Sequence, residues 1–244
     1  MNLPAEKSTL ASVGNRSRAI EDYLKAIYVL HQDHGQVTTS LLSEHLGFAP
    51  PSVTSMLQKL AKLDLATYTP YHGVTLTDRG QRVALEVLRH HRLLELFLMK
   101  ELGYSWEEVH AEAEALEHVI SETLEARIAA HLGYPTVDPH GDPIPAIDGT
   151  LPVSTCQPLA HLSLGATGRI SRVTDQRPDH LCYLAAMGLV PGAIVTMCAR
   201  APFDGPLTLG VGEAVHHLDI QLARAILVQE VDREADRAPA QEEV

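Results

Sequence analysis

The chain is poor in the features that carry covalent and nucleotide chemistry. Its three cysteines, Cys156, Cys182 and Cys198, lie far apart, are odd in number and form no CxxC pair. That argues against a disulfide framework or a cysteine zinc site and suits a reducing compartment. No run of about 18 apolar residues occurs, and the opening MNLPAEKSTLASVGNRSRA has no apolar signal region. The expectation is a cytoplasmic protein without membrane contact. No glycine-rich phosphate loop, no HExxH and no Ser or Cys nucleophile motif is evident, which leaves little for an enzyme to work with. Positive charge is also scarce: 19 Lys and Arg stand against 31 Asp and Glu, a net charge of −12.

That charge is unevenly spread. Residues 1–82 hold 8 basic and 7 acidic side chains, a net +1, whereas 83–135 are at −6 and 136–244 at −7. Nucleic acid could approach the first third, but the long-range field of the whole chain opposes it unless a cation helps.

With 244 residues, 45% of them hydrophobic, the chain is long enough for two or three compact units. Ile20, Tyr23, Leu24, Ile27, Tyr28 and Leu30 recur at helical spacing and predict a helix over 17–33. A short helix over 39–46 follows, closed by Gly47, and then a second over 51–63, opened by Pro51 and carrying Val53, Met56, Leu57 and Leu60. The alternating ATYTPYHGVTLTD is a hairpin signal. Two short helices, a tight turn and a hairpin describe a winged helix-turn-helix, whose second helix enters the major groove. A helical hairpin used for protein contacts is the plainer alternative, and the hairpin after the second helix favours DNA. The first turns of that helix offer Pro51, Ser52, Thr54 and Ser55, small enough for close approach to base edges. Lys59 is placed for a phosphate.

Long helices are predicted from about Thr77 to Leu102 and over 105–132. The Pro- and Gly-dense stretch 135–158 reads as a linker, and 159–231 switch to short β runs that predict a small barrel-like domain. His110, Glu114, Glu117 and His118 fall within one arc of roughly 100° on a helical wheel. His91 and Glu95, spaced i, i+4, share a face of the preceding helix. Such faces are usually solvated surface, but two helices each offering His and Glu match one or two divalent transition-metal sites. His90 and His131 read as ordinary histidines. A di-metal carboxylate enzyme also places Glu and His on facing helices, yet it needs Glu-x-x-His on two helices, and along the predicted long helices only Glu107–His110 fits.

The segments IEDYLKAIYVL, PPSVTSMLQKL, GVTLTDRG, LRHHRLLELFL, EAEALEHVIS and DPHGDPIP, running from Ile20 to about Ile147, resemble the diphtheria-toxin-repressor and manganese-transport-regulator family. Residues 157–231, with MGLVPGA, look like that family's SH3-like domain. The resemblance implies a primary metal site of Asp22, Glu114, Glu117 and His118, and a second site of His91, Glu95 and His110, with Asp175 as a donor from the SH3-like domain. It also places Ala49, Pro51, Ser52, Thr54 and Ser55 against bases or phosphates. Iron-responsive members carry Met and Cys at the positions of Asp22 and Glu114, so the hard donors here favour Mn2+, with Fe2+ as the alternative. Binuclear manganese regulators carry Glu where this chain has Lys25, which implies two separated sites rather than a bridged pair.

The expected protein is therefore mostly α with a small β domain: a winged helix-turn-helix, a helical dimerisation domain and an SH3-like β-barrel. Its divisions are a flexible start (1–16), a DNA-binding domain (17–82), a metal-binding and dimerisation domain (83–147), a linker (148–158), the SH3-like domain (159–231) and a disordered tail (232–244). The expected function is a manganese- or iron-responsive regulator that binds double-stranded operator DNA as a metal-loaded homodimer and represses metal uptake. A metal store or di-metal carboxylate enzyme without a DNA function is the competing reading.

Overall fold

The computed structural model describes residues 18–152 and 155–231. The expected flexible start and disordered tail lie outside the described residues. The chain divides into two compact units, one up to Leu88 and one from Arg89 onward.

In the first unit, α1 (Arg18–His34) buries Ile20, Tyr23, Leu24, Ile27 and Leu30 along one stripe, as its periodicity requires. Thr38 caps α2 (Thr39–Leu46), its side chain accepting from Leu41 N–H, and Gly47 ends that helix in the left-handed region at φ 69°. After this turn α3 (Pro50–Lys62) begins with prolines at its first positions and buries Val53, Leu57 and Leu60. Strands β1 (Ala66–Thr69) and β2 (Gly73–Leu76) pair antiparallel from Ala66↔Leu76 to Thr69↔Gly73. Gln36 pins the hairpin by donating from Nε2 to His72 O at 2.8 Å. This is the winged helix-turn-helix.

The second unit contains most of α4 (Asp78–Leu102), then α5 (Val109–Leu116) and α6 (Glu122–His131). Leu93, Leu96, Val109, Ala113, Ile128 and Ile144 pack as its helical core. The single helix expected over 105–132 is in fact α5 and α6. Ser105 and Glu108 form a turn of their own, with Ser105 N–H and Oγ–H both donating to Glu108 Oε2. Further on, Ser121 adopts an extended backbone and caps α6 by accepting from Leu124 N–H. The β part comprises β3 (Gln157–Pro158), β4 (Thr167–Val173), α7 (Pro178–Ala186), β5 (Ile194–Arg200), β6 (Leu207–Val211), β7 (Ala214–Leu218), α8 (Ile220–Arg224) and β8 (Ile226–Glu230). Its strands form one antiparallel sheet in the order β3-β8-β4-β5-β6-β7 around an apolar core that includes Leu181, Leu184, Met197, Leu209 and Val228.

Part of the stretch expected to be a linker is not free chain. Asp138, His140, Asp142 and Ile144 are buried, and Val173 N–H of β4 donates to His140 O at 2.8 Å. Gly141, at φ 86°, lies against β4 so closely that a Cβ would stand 1.9 Å from Ser171 O. Only glycine fits both that dihedral and that gap.

Candidate metal centre

His91 is the hub of the centre. On buried α4 its Nδ1 lies 2.5 Å from Glu117 Oε2, and its Nε2 lies 2.9 Å from Glu95 Oε1 and 3.1 Å from His110 Nδ1. His110, on the first turn of α5, meets the His91 ring edge-on with centroids 4.8 Å apart, and its Nδ1 is 3.1 Å from the same Glu95 oxygen. One donor atom from each of His91, Glu95 and His110 can be chosen so that all lie within 4.8 Å of one another, and the same holds for His91, Glu114 and Glu117. The expectation gave His91 to the second site alone; its two nitrogens in fact face both groups.

The carboxylates reach this point because α5 ends there. Glu117 still has helical dihedrals, with its N–H donating to Ala113 O, while His118 sits in the following turn with Nε2 3.2 Å from Glu117 Oε1. Glu117 is 1% exposed. A buried carboxylate at that depth needs charge-assisted partners, and the imidazoles supply them.

A third group was not anticipated from sequence: Glu95, Asp138 and His140, all buried, with donor atoms again within 4.8 Å of one another. Asp138 Oδ1 accepts the N–H groups of His140 and Asp142 at 2.8 and 2.9 Å, which turns the chain. Its Oδ2 makes no hydrogen bond, and the nearest cation, Arg92 Nε, is 3.8 Å away. His140 Nε2–H donates to Trp106 O at 3.0 Å, and the Trp106 ring stacks on the imidazole. His140 Nδ1, 3.7 Å from Glu95 Oε2, is too far for a hydrogen bond and has none. Two orphaned, buried donors beside a buried carboxylate are what a divalent cation would satisfy.

The electrostatics agree. Burial alone would raise Glu95, but His91, His110 and His140 around it hold its carboxyl well below the usual range. Asp138 goes the other way: burial, then repulsion from Asp142 and Glu95, push it well above the ordinary value. Burial pulls the His140 imidazole down, yet Glu95 and Asp138 outweigh it and leave the ring above its usual value.

Asp22 lies on α1 of the first unit, half-buried. Asp175, after β4, accepts two hydrogen bonds from the Arg177 guanidinium at 3.0 and 2.8 Å and lies 2.9 Å from His180 Nδ1. The Arg177 hydrogen bonds lead the causes that lower its carboxyl to about 2. Among the described residues it joins none of the metal-capable groups. Ala49, Pro51, Ser52, Ser55 and Lys59 are exposed at or along the start of α3, which carries no acidic residue. Thr54 is half-buried and its hydroxyl donates back to Pro50 O. The signal missed for Asp138 and His140 was their placement either side of Pro139 in DPHGDPIP, a segment whose Pro and Gly content reads as loop.

Comparison with known proteins places these features in one class, the metal-dependent repressors. Residues 16–74 match the iron-dependent repressor N-terminal DNA-binding domain, 77–146 the iron-dependent repressor metal-binding and dimerisation domain, and 157–230 the FeoA domain. The iron-dependent repressor IdeR of Mycobacterium tuberculosis H37Rv is 31% identical over 223 residues, covering 86% of this chain and 96% of that protein. The regulator MntR of Geobacillus kaustophilus is 34% identical over 124 residues, 51% of this chain and 79% of that one. A solved manganese-dependent transcriptional repressor in complex with manganese superposes with a TM-score of 0.81 at 40% identity, covering 87% of this chain and all of that one. This chain belongs to the iron-dependent repressor family. Its class is that of a transcriptional regulator, and the enzyme reading finds no support. No helix among the described residues is long and apolar enough to cross a membrane.

Proposed function

We propose that this protein is a manganese-responsive repressor that binds operator DNA as a homodimer. The observation that carries the reading is the donor set around His91 and Glu95: carboxylates and imidazoles only, with no sulfur. Hard oxygen donors with imidazole suit Mn2+ better than the softer late metals. The likeness to a manganese-dependent repressor supports this choice, and the iron-dependent relatives support Fe2+ as the second reading.

We assign the primary site to Asp22, Glu114, Glu117 and His118, as the family resemblance implies. The second site takes His91, Glu95 and His110, with Asp138 and His140 added on their geometry. Asp175 remains a donor to that site only if it first leaves Arg177. A bound divalent cation supplies the positive charge that these clustered acids otherwise lack. Asp22 belongs to the DNA-reading part and the other primary donors to the dimerisation part, so a shared grip orders one against the other. In a two-fold dimer this sets the spacing of the two α3 helices, which half-sites about one helical turn apart demand. Ala49, Pro51, Ser52, Thr54 and Ser55 then face bases or phosphates, and Lys59 a phosphate. Moving such a switch from 1:99 to 99:1 takes about 5.5 kcal/mol, more than the usual coupling of about 1–3 kcal/mol at one site, so several ions per dimer contribute.

The test is duplex binding on candidate promoters with Mn2+, with Fe2+ and with chelator. Binding should need Mn2+, fall with salt, and lose its metal dependence in Asp22→Ala while the dimer persists. Equal affinity in chelator and in Mn2+ would end the proposal.

A further inference from the structure

His90 and His91 are neighbours on α4, and both reach Glu117. His91 holds the carboxylate, as described. His90 holds the other end of the same residue: its Nδ1–H donates to Glu117 O at 3.1 Å. The last carbonyls of a helix have no partner within it, and His90 provides one at the point where α5 gives way to the His118 turn. The far side of the His90 ring is fixed too. Nε2 lies 3.2 Å from Glu125 Oε2 on α6. Glu125 Oε1 accepts from Arg89 Nε at 2.5 Å, and Arg89 Nη1 donates onward to Pro145 O at 2.7 Å. A chain of contacts thus runs from Pro145 through Arg89, Glu125 and His90 to the peptide of Glu117, hydrogen-bonded at each step except between His90 and Glu125, which meet at ion-pair distance. His90 is 7% exposed and the Glu125 side chain 13%, so water competes little for these bonds.

We infer that His90 is a positioning residue for the metal centre, holding the Glu117 peptide so that its carboxylate stays aimed at the donor cluster. The inference rests on the reading of Glu117 as a ligand. His90 is not itself a donor to the ion: among the described residues it belongs to none of the metal-capable groups, and its nitrogens face a carbonyl and Glu125. Residues that orient ligands from behind typically set metal affinity by about 10–100-fold, and the chain through Glu125 is built in that manner.

The experiment is Mn2+ titration calorimetry on the full chain, with metal-free melting alongside. Glu117→Gln and His140→Gln serve as references that identify which ion each heat belongs to. His90→Leu should weaken the ion assigned to Glu117 by about 10–100-fold and leave the ion at Glu95, Asp138 and His140 unchanged. His90→Asn, which keeps an N–H donor near the place of Nδ1, should recover most of that loss, and Glu125→Gln should fall between. Unchanged affinity in His90→Leu overturns the inference. So does an equal loss at both ions that tracks a lowered melting temperature and is shared by His90→Asn. A wild-type chain that takes up no Mn2+ would sink the ligand reading and this inference together, whereas normal uptake by both wild type and His90→Leu sinks this inference alone.

Discussion

Two parts of the second unit bury different things. Around the six-stranded sheet, the core from Leu159 to Val228 is apolar, and Thr167 is the one polar residue buried there among those described. Between residues 90 and 142 the same chain buries His90, His91, Glu95, Glu117, Asp138, His140 and Asp142. Apolar burial stabilises by about 25 cal/mol per Å² and asks for no partner, whereas each buried ionisable group costs free energy unless another group answers it. The sheet is thus built to stay folded. The helical part keeps groups whose burial must be offset by a cation, a neighbouring imidazole or, at Asp142, by Arg172 and Gln176. The candidate metal centre sits where the fold tolerates a cost.

The contrast can be broken from either side. Leu181→Ala, deep in the sheet's core, should cost about 2–5 kcal/mol of stability, read by denaturant unfolding, while Mn2+ affinity in the folded protein stays the same. A loss of metal binding at full stability would erase the distinction between the two parts. Asp138→Asn should act the other way. Its Oδ1 can still accept from His140 and Asp142, so the turn survives, but the second ion should bind at least about tenfold more weakly. Because burial and its acidic neighbours raise the Asp138 carboxyl in the fold, the metal-free protein loses stability as pH climbs above the unfolded value of about 3.8 toward the raised one. Asn at 138 should flatten that limb in metal-free melts. A third outcome concerns Trp106, the only tryptophan of the chain, stacked on His140 with centroids 5.6 Å apart. Its fluorescence should change as Mn2+ fills the second site and should not change in His140→Gln. The smallest effect belongs to Asp175. Its carboxyl, held at about 2, contributes stability that is present above the unfolded pKa of about 3.8 and lost as pH falls toward 2. Asp175→Asn should lower the neutral plateau slightly and make the acid side of the stability profile shallower, so that the two profiles converge near pH 2.

Much of this was legible in the sequence because it is local. Apolar stripes at helical spacing located α1 to α4 within a residue or so, the alternation around Pro70 marked the wing, and His91 with Glu95 announced a shared face. What escaped depends on distant partners. The break between α5 and α6 rests on one serine cap that a continuous acid-rich helical pattern hides. Asp138 and His140 looked like loop residues because Pro and Gly report backbone freedom and say nothing of what lies beneath. His90 looked ordinary beside His91 since adjacent helical positions point about 100° apart, and only the return of the chain through Glu117 and Glu125 gives the second direction a purpose.

One small gap carries a larger meaning. The missing side chain at Gly141 lets the turn that bears His140 rest directly on β4, and Val173 N–H fastens it there. The β domain is therefore the floor on which the Asp138–His140 turn is laid, rather than an appendage to a finished helical part. A chain cut after residue 152 would keep every donor from His91 to His140 and still lack the surface that keeps two of them in place.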